Sequence, residues 1–127
     1  MSSISILIVE DESIIAIHIQ KILSIKGYSN IRIALSSNDA LSMINESIPD
    51  LILMDIMLGG EFDGIQTVEK TKNSYDIPII YITAHSDKNT IDRAKLTQPY
   101  GFIVKPINKN DLYTAIEITL YKHSMQK

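Results

Sequence analysis

The chain has 127 residues, enough for one domain with a real core and too few for two. Hydrophobic residues make up 45% and charged residues 21%, the balance of a soluble globular protein, and a net charge of −3 argues against a broad basic surface for nucleic acid. The lack of cysteine excludes a disulfide framework, a thiolate metal site and a cysteine nucleophile, and fits a reducing compartment.

The N-terminal Met1-Ser2-Ser3-Ile4 lacks the charged and apolar regions of a signal peptide, and no apolar run is long enough to span a membrane. The expectation is a cytoplasmic protein of one domain, residues 1–127, with neither membrane nor nucleic-acid partner. Ile4 to Val9 is an apolar run ending abruptly in Glu10-Asp11-Glu12, which predicts a strand buried on both faces. Ser13 to Lys26 carries Ile15, Ile19 and Ile22 at helical spacing, and Gly27 closes it as a C-cap. Residues 31–35 alternate like a strand. Asn38 to Glu46, with Leu41 and Ile44 on one side, predicts a second helix. Asp50 to Asp55 holds a buried strand that ends in an acid. A glycine-bearing loop, Leu58 to Gly64, leads to a helix over Ile65 to Lys72.

Pro78 to Thr83 predicts the fourth strand, Asp87 to Leu96 a polar helix, and Gly101 to Val104 the last strand, running into Lys105-Pro106. Asn108 or Asn110 caps a final helix whose Leu112, Ala115, Ile116, Thr119 and Leu120 form an apolar stripe. Strand and helix alternate five times, which argues for a parallel sheet covered on both faces.

The polar residues that break this pattern gather at strand ends. Glu10 and Asp11 follow strand one, Asp55 ends strand three, Thr83 ends strand four and Lys105 follows strand five. Ligands of open α/β sheets bind beyond the carboxyl ends of the strands, so these five residues share the functional edge. If strand one lies beside strand three, Glu10, Asp11 and Asp55 form a cluster of carboxylates that needs a cation. Hard oxygen donors of this kind suit Mg²⁺, with Mn²⁺ as an alternative. A metal, a lysine and a hydroxyl together match the spread charge of a phosphoryl group. One carboxylate must be the acceptor if that group becomes covalently attached.

The set Val9-Glu10-Asp11-Glu12, Leu53-Met54-Asp55, Ile82-Thr83-Ala84 and Val104-Lys105-Pro106 resembles the bacterial and archaeal response-regulator receiver family, over essentially the whole chain. The resemblance implies a doubly wound (βα)5 flavodoxin-like domain with strand order 2-1-3-4-5. It implies that Asp55 is the phosphoacceptor, and that Asp11, Asp55 and the Met57 backbone carbonyl bind Mg²⁺. Glu10 acts on the metal's outer shell through water. Thr83 and the Ala84 amide hold phosphoryl oxygens, Lys105 pairs with the phosphoryl charge, and Lys105-Pro106 is a cis peptide. Phe102 matches the family's switch aromatic. The implied donor is a phosphohistidine on a sensor histidine kinase or phosphotransfer protein. The implied output surface is helix 4-strand 5-helix 5, for partners or for a homodimer. The domain speeds transfer and then hydrolyses its own aspartyl phosphate, and is not otherwise an enzyme.

The chain departs from the family's common pattern in four places. Gly59 stands where many receivers have proline, and Asp63-Gly64 arrives one residue late. Glu10 replaces the commoner aspartate. Met57 and His85 occupy the positions that influence phosphoryl loss. The switch aromatic is phenylalanine rather than tyrosine.

Structural readings compete for several residues. Glu12 reads better as a helix cap than as a ligand. Thr83 alone is an ordinary β-branched strand residue, and Lys105 alone a solvated lysine. Gly59-Gly60 serves turn geometry. His18 and His123 are expected to be solvated or satisfied locally. Tyr113, Glu117 and Tyr121 form a second stripe on the last helix, read as ordinary half-buried surface. A metal-dependent phosphatase of the haloacid-dehalogenase type would carry a further acid where Met57 stands. A receiver that only binds partners would have lost an acid, the threonine or the lysine, and none is missing.

Overall fold

In the computed structural model, which describes residues 3–84 and 87–126, five parallel strands alternate with five helices. The strands are β1 (Ser5–Val9), β2 (Asn30–Ala34), β3 (Leu51–Asp55), β4 (Ile79–Thr83) and β5 (Gly101–Val104). The helices are α1 (Ser13–Lys26), α2 (Ser37–Glu46), α3 (Gly64–Lys72), α4 (Lys88–Lys95) and α5 (Lys109–Met125). The sheet order is β2-β1-β3-β4-β5, the flavodoxin-like (βα)5 arrangement expected from the sequence. The strand order reverses at β1 and β3, and Val9 pairs with Met54 at their carboxyl ends. No helix among the described residues is long and apolar enough to cross a membrane.

Side chains alternate across a strand, so each strand feeds two cores. Leu7, Val9, Ile52, Met54, Ile79 and Tyr81 pack with Ala40, Ile44, Ile65, Val68 and Ala94, which belong to α2, α3 and α4. Ile6, Ile8, Leu51, Leu53, Ile80, Ile82 and Ile103 pack with Ala16, Ile19, Leu23, Leu112 and Ile116 of α1 and α5. β1, β3 and β4 are buried on both faces almost throughout, which explains their continuous apolar sequences.

The expected face of α1 points inward: Ile19 is fully buried with Ala16 and Leu23, and Ile15 and Ile22 pack half-buried against the same core. Two other expectations are corrected by these cores. β2 begins at Asn30 and leaves Leu35 exposed, and as an edge strand it shows no alternation of burial. His123 is buried rather than solvated, because it lies on the inner face of α5, with Nε2 3.3 Å from the Asp76 carboxylate. His18 is exposed, as expected.

Helix starts are set by side chains. The Ser36 hydroxyl accepts from the Asp39 amide, Asp87 from Thr90, and Asn108 from both Asn110 and Asp111. Glu12 occupies the N-cap position of α1, but its side chain makes no capping bond. Asp63 forms a complete capping box with Gln66 at α3, and its second oxygen receives Arg93 of α4 at 3.1 Å. Asp63→Ala is therefore expected to lower the unfolding free energy by about 1–2 kcal/mol in urea denaturation, with Asp63→Asn recovering most of it. Equal stability of wild type and Asp63→Ala would contradict this role.

Candidate functional site

The strand alternation that builds the two cores also sorts the polar residues at the carboxyl edge. Continuing it one residue past β1 and β5 puts Glu10, Asp55 and Lys105 on the α1/α5 side, in line with Ile8, Leu53 and Ile103. Thr83 falls on the other side with Tyr81 and Phe102.

Glu10 and Asp55 are both buried, at 0% and 2% exposure, where an unpaired charge is expensive. Lys105 is their shared counter-charge: Nζ lies 3.1 Å from Glu10 Oε1 and 3.4 Å from Asp55 Oδ2. Carboxylate oxygens of Glu10, Asp11 and Asp55 all lie within 4.8 Å of one another. Burial, the hydrogen bond to Asp55 and the Asp55 charge push the Glu10 carboxyl up to about 7, against smaller opposing effects of the Glu12 amide and Lys105. For Lys105, burial acts to lower the pKa. The close approach of Glu10 and the charge of Asp55 outweigh it, so the net direction is upward.

The remaining oxygens are only partly satisfied. Asp55 Oδ1 accepts the Met57 amide at 3.1 Å, and Glu10 Oε2 accepts the Glu12 amide at 3.2 Å. Glu10 Oε1 is fully buried and, despite its closeness to Lys105, has no aligned hydrogen bond. A cluster of oxygen donors with an unsatisfied buried oxygen and a single lysine fits a hard divalent cation.

Thr83 is buried at the end of β4, and its carbonyl accepts the Lys105 amide at 2.9 Å, tying the ends of β4 and β5 together. Ala84, the next residue, is exposed. The Lys105-Pro106 peptide is cis, as expected. Met57 is largely exposed, so its side chain stands clear of the pocket interior. Phe102 is half-buried, and its ring centroid is 5.7 Å from that of Tyr81, its partner in the β4–β5 register. His85 lies outside the described residues.

Three features escaped the sequence reading. Gly59 does more than turn the chain: its amide donates to Asp11 Oδ2 at 3.0 Å, a bond that proline at this place would delete. The positive φ of the pair belongs to Gly60. Gly64 presses its backbone against the carbonyl of Asp55, and a Cβ there would collide with it. The Asp-Gly pattern hinted at a turn, but only the fold shows what the glycine touches. Tyr81, fully buried, shares a 2.7 Å hydrogen bond with Thr97, which also donates to the Ala94 carbonyl of α4. Phe102 therefore adjoins a side chain bonded to the C-terminal end of α4.

Comparison with known proteins settles the family. The model of the response regulator receiver domain matches residues 6–117. The chain belongs to the response-regulator receiver family. It is 30% identical over 115 residues to the transcriptional regulatory protein PdtaR of Mycobacterium tuberculosis, a match covering 91% of this chain and 56% of PdtaR. The chain thus spans about half the length of the curated relatives it matches. Among solved structures, it is similar to the N-terminal domain of a response regulator/sensory box/GGDEF protein from Carboxydothermus hydrogenoformans. There the identity is 33% and the TM-score 0.89, covering 96% of this chain and 98% of that one. A CheY-like receiver domain protein from Methanospirillum hungatei JF-1 is 27% identical with TM-score 0.89, covering 98% of this chain and all of the other. Receiver domains serve two-component signalling, and this receiver has the acidic pocket its family uses.

The contact of Gly64 with Asp55 yields a test of the site's construction. Gly64→Ala is expected to cost about 1–3 kcal/mol, read as a lower thermal midpoint, because the β3 end must shift to accept the methyl group. An unchanged midpoint would show that the contact yields without displacing Asp55.

Proposed function

We propose that this receiver takes a phosphoryl group from the phosphohistidine of a sensor histidine kinase or phosphotransfer protein onto Asp55, and that the transfer switches its α4–β5–α5 face for partner binding. The observation that carries the reading is the buried Asp55 carboxylate beside Lys105, at the strand-order reversal and within an acidic cluster.

The attacking group is a carboxylate oxygen of Asp55. A phosphorus–oxygen bond forms to it as the phosphorus–nitrogen bond to the donor imidazole breaks, and the imidazole leaves with its electron pair and takes up a proton. Asp11, Asp55 and the Met57 carbonyl would hold Mg²⁺, with Glu10 acting through a metal-bound water; when bound, the ion supplies charge stabilisation to the phosphoryl oxygens. Lys105 already sits between Glu10 and Asp55, and it follows the incoming charge by a small movement of a flexible side chain. Thr83 and the Ala84 amide hold the oxygens on the β4 side.

The two sides of the sheet edge divide the work. Acceptor and lysine lie on the α1/α5 side, whereas Thr83 lies with Tyr81 and Phe102 on the side covered by α4. Drawing Thr83 toward a phosphoryl group moves the end of β4, and Phe102 and the Tyr81–Thr97 bond sense that movement. The bound group thereby favours one of two packings of the α4 face. A groove lined by Ile15, His18, Pro106 and Ile107 opens beside Lys105, so a partner presenting a phosphohistidine can dock next to the acceptor.

Intact-protein mass spectrometry after incubation with acetyl phosphate tests this directly. A phosphorylated mass is expected for wild type with Mg²⁺, not with EDTA, and not for Asp55→Asn. A phosphorylated mass on Asp55→Asn would sink the assignment.

A further inference from the structure

The loop that leaves β3 reaches back to two of the clustered acids. The Met57 amide donates to Asp55 Oδ1 at 3.1 Å, and the Gly59 amide donates to Asp11 Oδ2 at 3.0 Å. Leu58, between them, is buried in the core shared with α2, α3 and α4. The ends of the loop are joined as well, since the Gly64 amide donates to the Ile56 carbonyl at 2.9 Å. The segment from Met57 to Gly59 is thus held at every residue, and at two of them by acids of the pocket.

Glu10 and Asp55 are kept in place by burial, but Asp11 is exposed. An exposed aspartate samples several rotamers, and arresting it costs entropy. Here its carboxylate is held by the Gly59 amide, 48 residues away in sequence. That bond uses one lone pair of Oδ2 and leaves the rest of the carboxylate to a cation. Residue 59 also has to be small: a Cβ there would stand 3.3 Å from Asp11 Oδ2, close enough to push it aside. A proline would carry that Cβ and would have no N–H to give. Many receivers have proline at this place, so the contact belongs to the loop of this chain.

We propose that Gly59 is a positioning residue for the metal, its amide fixing the Asp11 carboxylate beside those of Glu10 and Asp55 before an ion arrives. The inference rests on Asp11 being a metal ligand, as proposed above, and adds that this loop sets how tightly the ion is held. The entropy of arresting Asp11 is lost on folding rather than on binding, and partners that orient a ligand in this way contribute about tenfold or more to metal affinity.

A Mn²⁺ titration, followed by the electron paramagnetic resonance of the free ion, reads this without phosphoryl transfer. Gly59→Pro is expected to raise the dissociation constant about tenfold, and Gly59→Ala, which keeps the amide but crowds the oxygen, by less. In an Asp11→Ala background, Gly59→Pro should lose most of its effect. In metal-free protein, hydrogen exchange at the Gly59 amide should be slow in wild type and fast in Asp11→Ala. Circular dichroism of each variant separates a lost site from a lost fold. If proline unfolds the protein, glycolic acid in place of Gly59 exchanges the N–H for an ester oxygen, adds no side chain and is expected to weaken binding as much. Equal affinities of wild type and of the variant lacking the N–H overturn the proposal while leaving Asp11 a ligand. So does a loss that persists in full without Asp11. A wild type that takes up no Mn²⁺ overturns the metal site itself, and the proposal with it.

Discussion

One lysine is shared by the carboxylates gathered at the carboxyl edge of the sheet, and it does not balance them. Glu10 and Asp55 end neighbouring strands, and both are buried where a lone carboxylate is costly. Lys105 reaches both, and its own amide is tied to Thr83 across β4 and β5. With Asp11 close by, the acids still outnumber the base. Burial and the neighbouring Asp55 push the Glu10 carboxyl up to about 7, and one of its buried oxygens lacks an aligned partner. The pocket is left short of positive charge. Under the proposed function, a divalent cation meets that shortage and a phosphoryl group then binds the loaded pocket.

The rest of the fold supports this tension at a fixed place. Strands buried on both faces give a rigid edge, and strand alternation aims Glu10, Asp55 and Lys105 to one side and Thr83 to the other. Under the proposed function, chemistry and response are thereby separated by the thickness of one strand. On the response side, Tyr81 touches Phe102 and hydrogen-bonds Thr97, linking β4, β5 and the C-terminal end of α4. Asp63 adds a second link, since it caps α3 and receives Arg93 of α4. Under the proposed function, a displacement of Thr83 reaches α4 through these few contacts.

Much of this was legible before any coordinates. The continuous apolar runs ending in acids, threonine or lysine marked both the strands and the site, because a parallel sheet buries its strands and exposes their carboxyl ends to ligands. The cis peptide at Pro106 followed from the family resemblance and is present. What stayed hidden depended on contacts distant in sequence. The Gly59 amide on Asp11 spans 48 residues, and Gly64 could be read only as turn chemistry until β3 was seen beneath it. The burial of His123 required the docking of α5. In α1, Ile15, Ile19 and Ile22 marked the inward face, but Ala16 and Leu23, buried on it too, carried no separate signal among so many apolar residues.

The central claim is that Asp55, Thr83 and Lys105 close around one tetrahedral anion group. A crystal structure grown with Mg²⁺ and beryllofluoride, a non-transferable mimic of the phosphoryl group, tests it most directly. The account predicts beryllium bonded to an Asp55 carboxylate oxygen. Lys105 should have moved from Glu10 onto a fluorine, Thr83 should donate to another, and the metal should lie between Asp11 and Asp55. A beryllofluoride adduct on any other residue, or Lys105 still bound to Glu10 with Thr83 turned away, would contradict it.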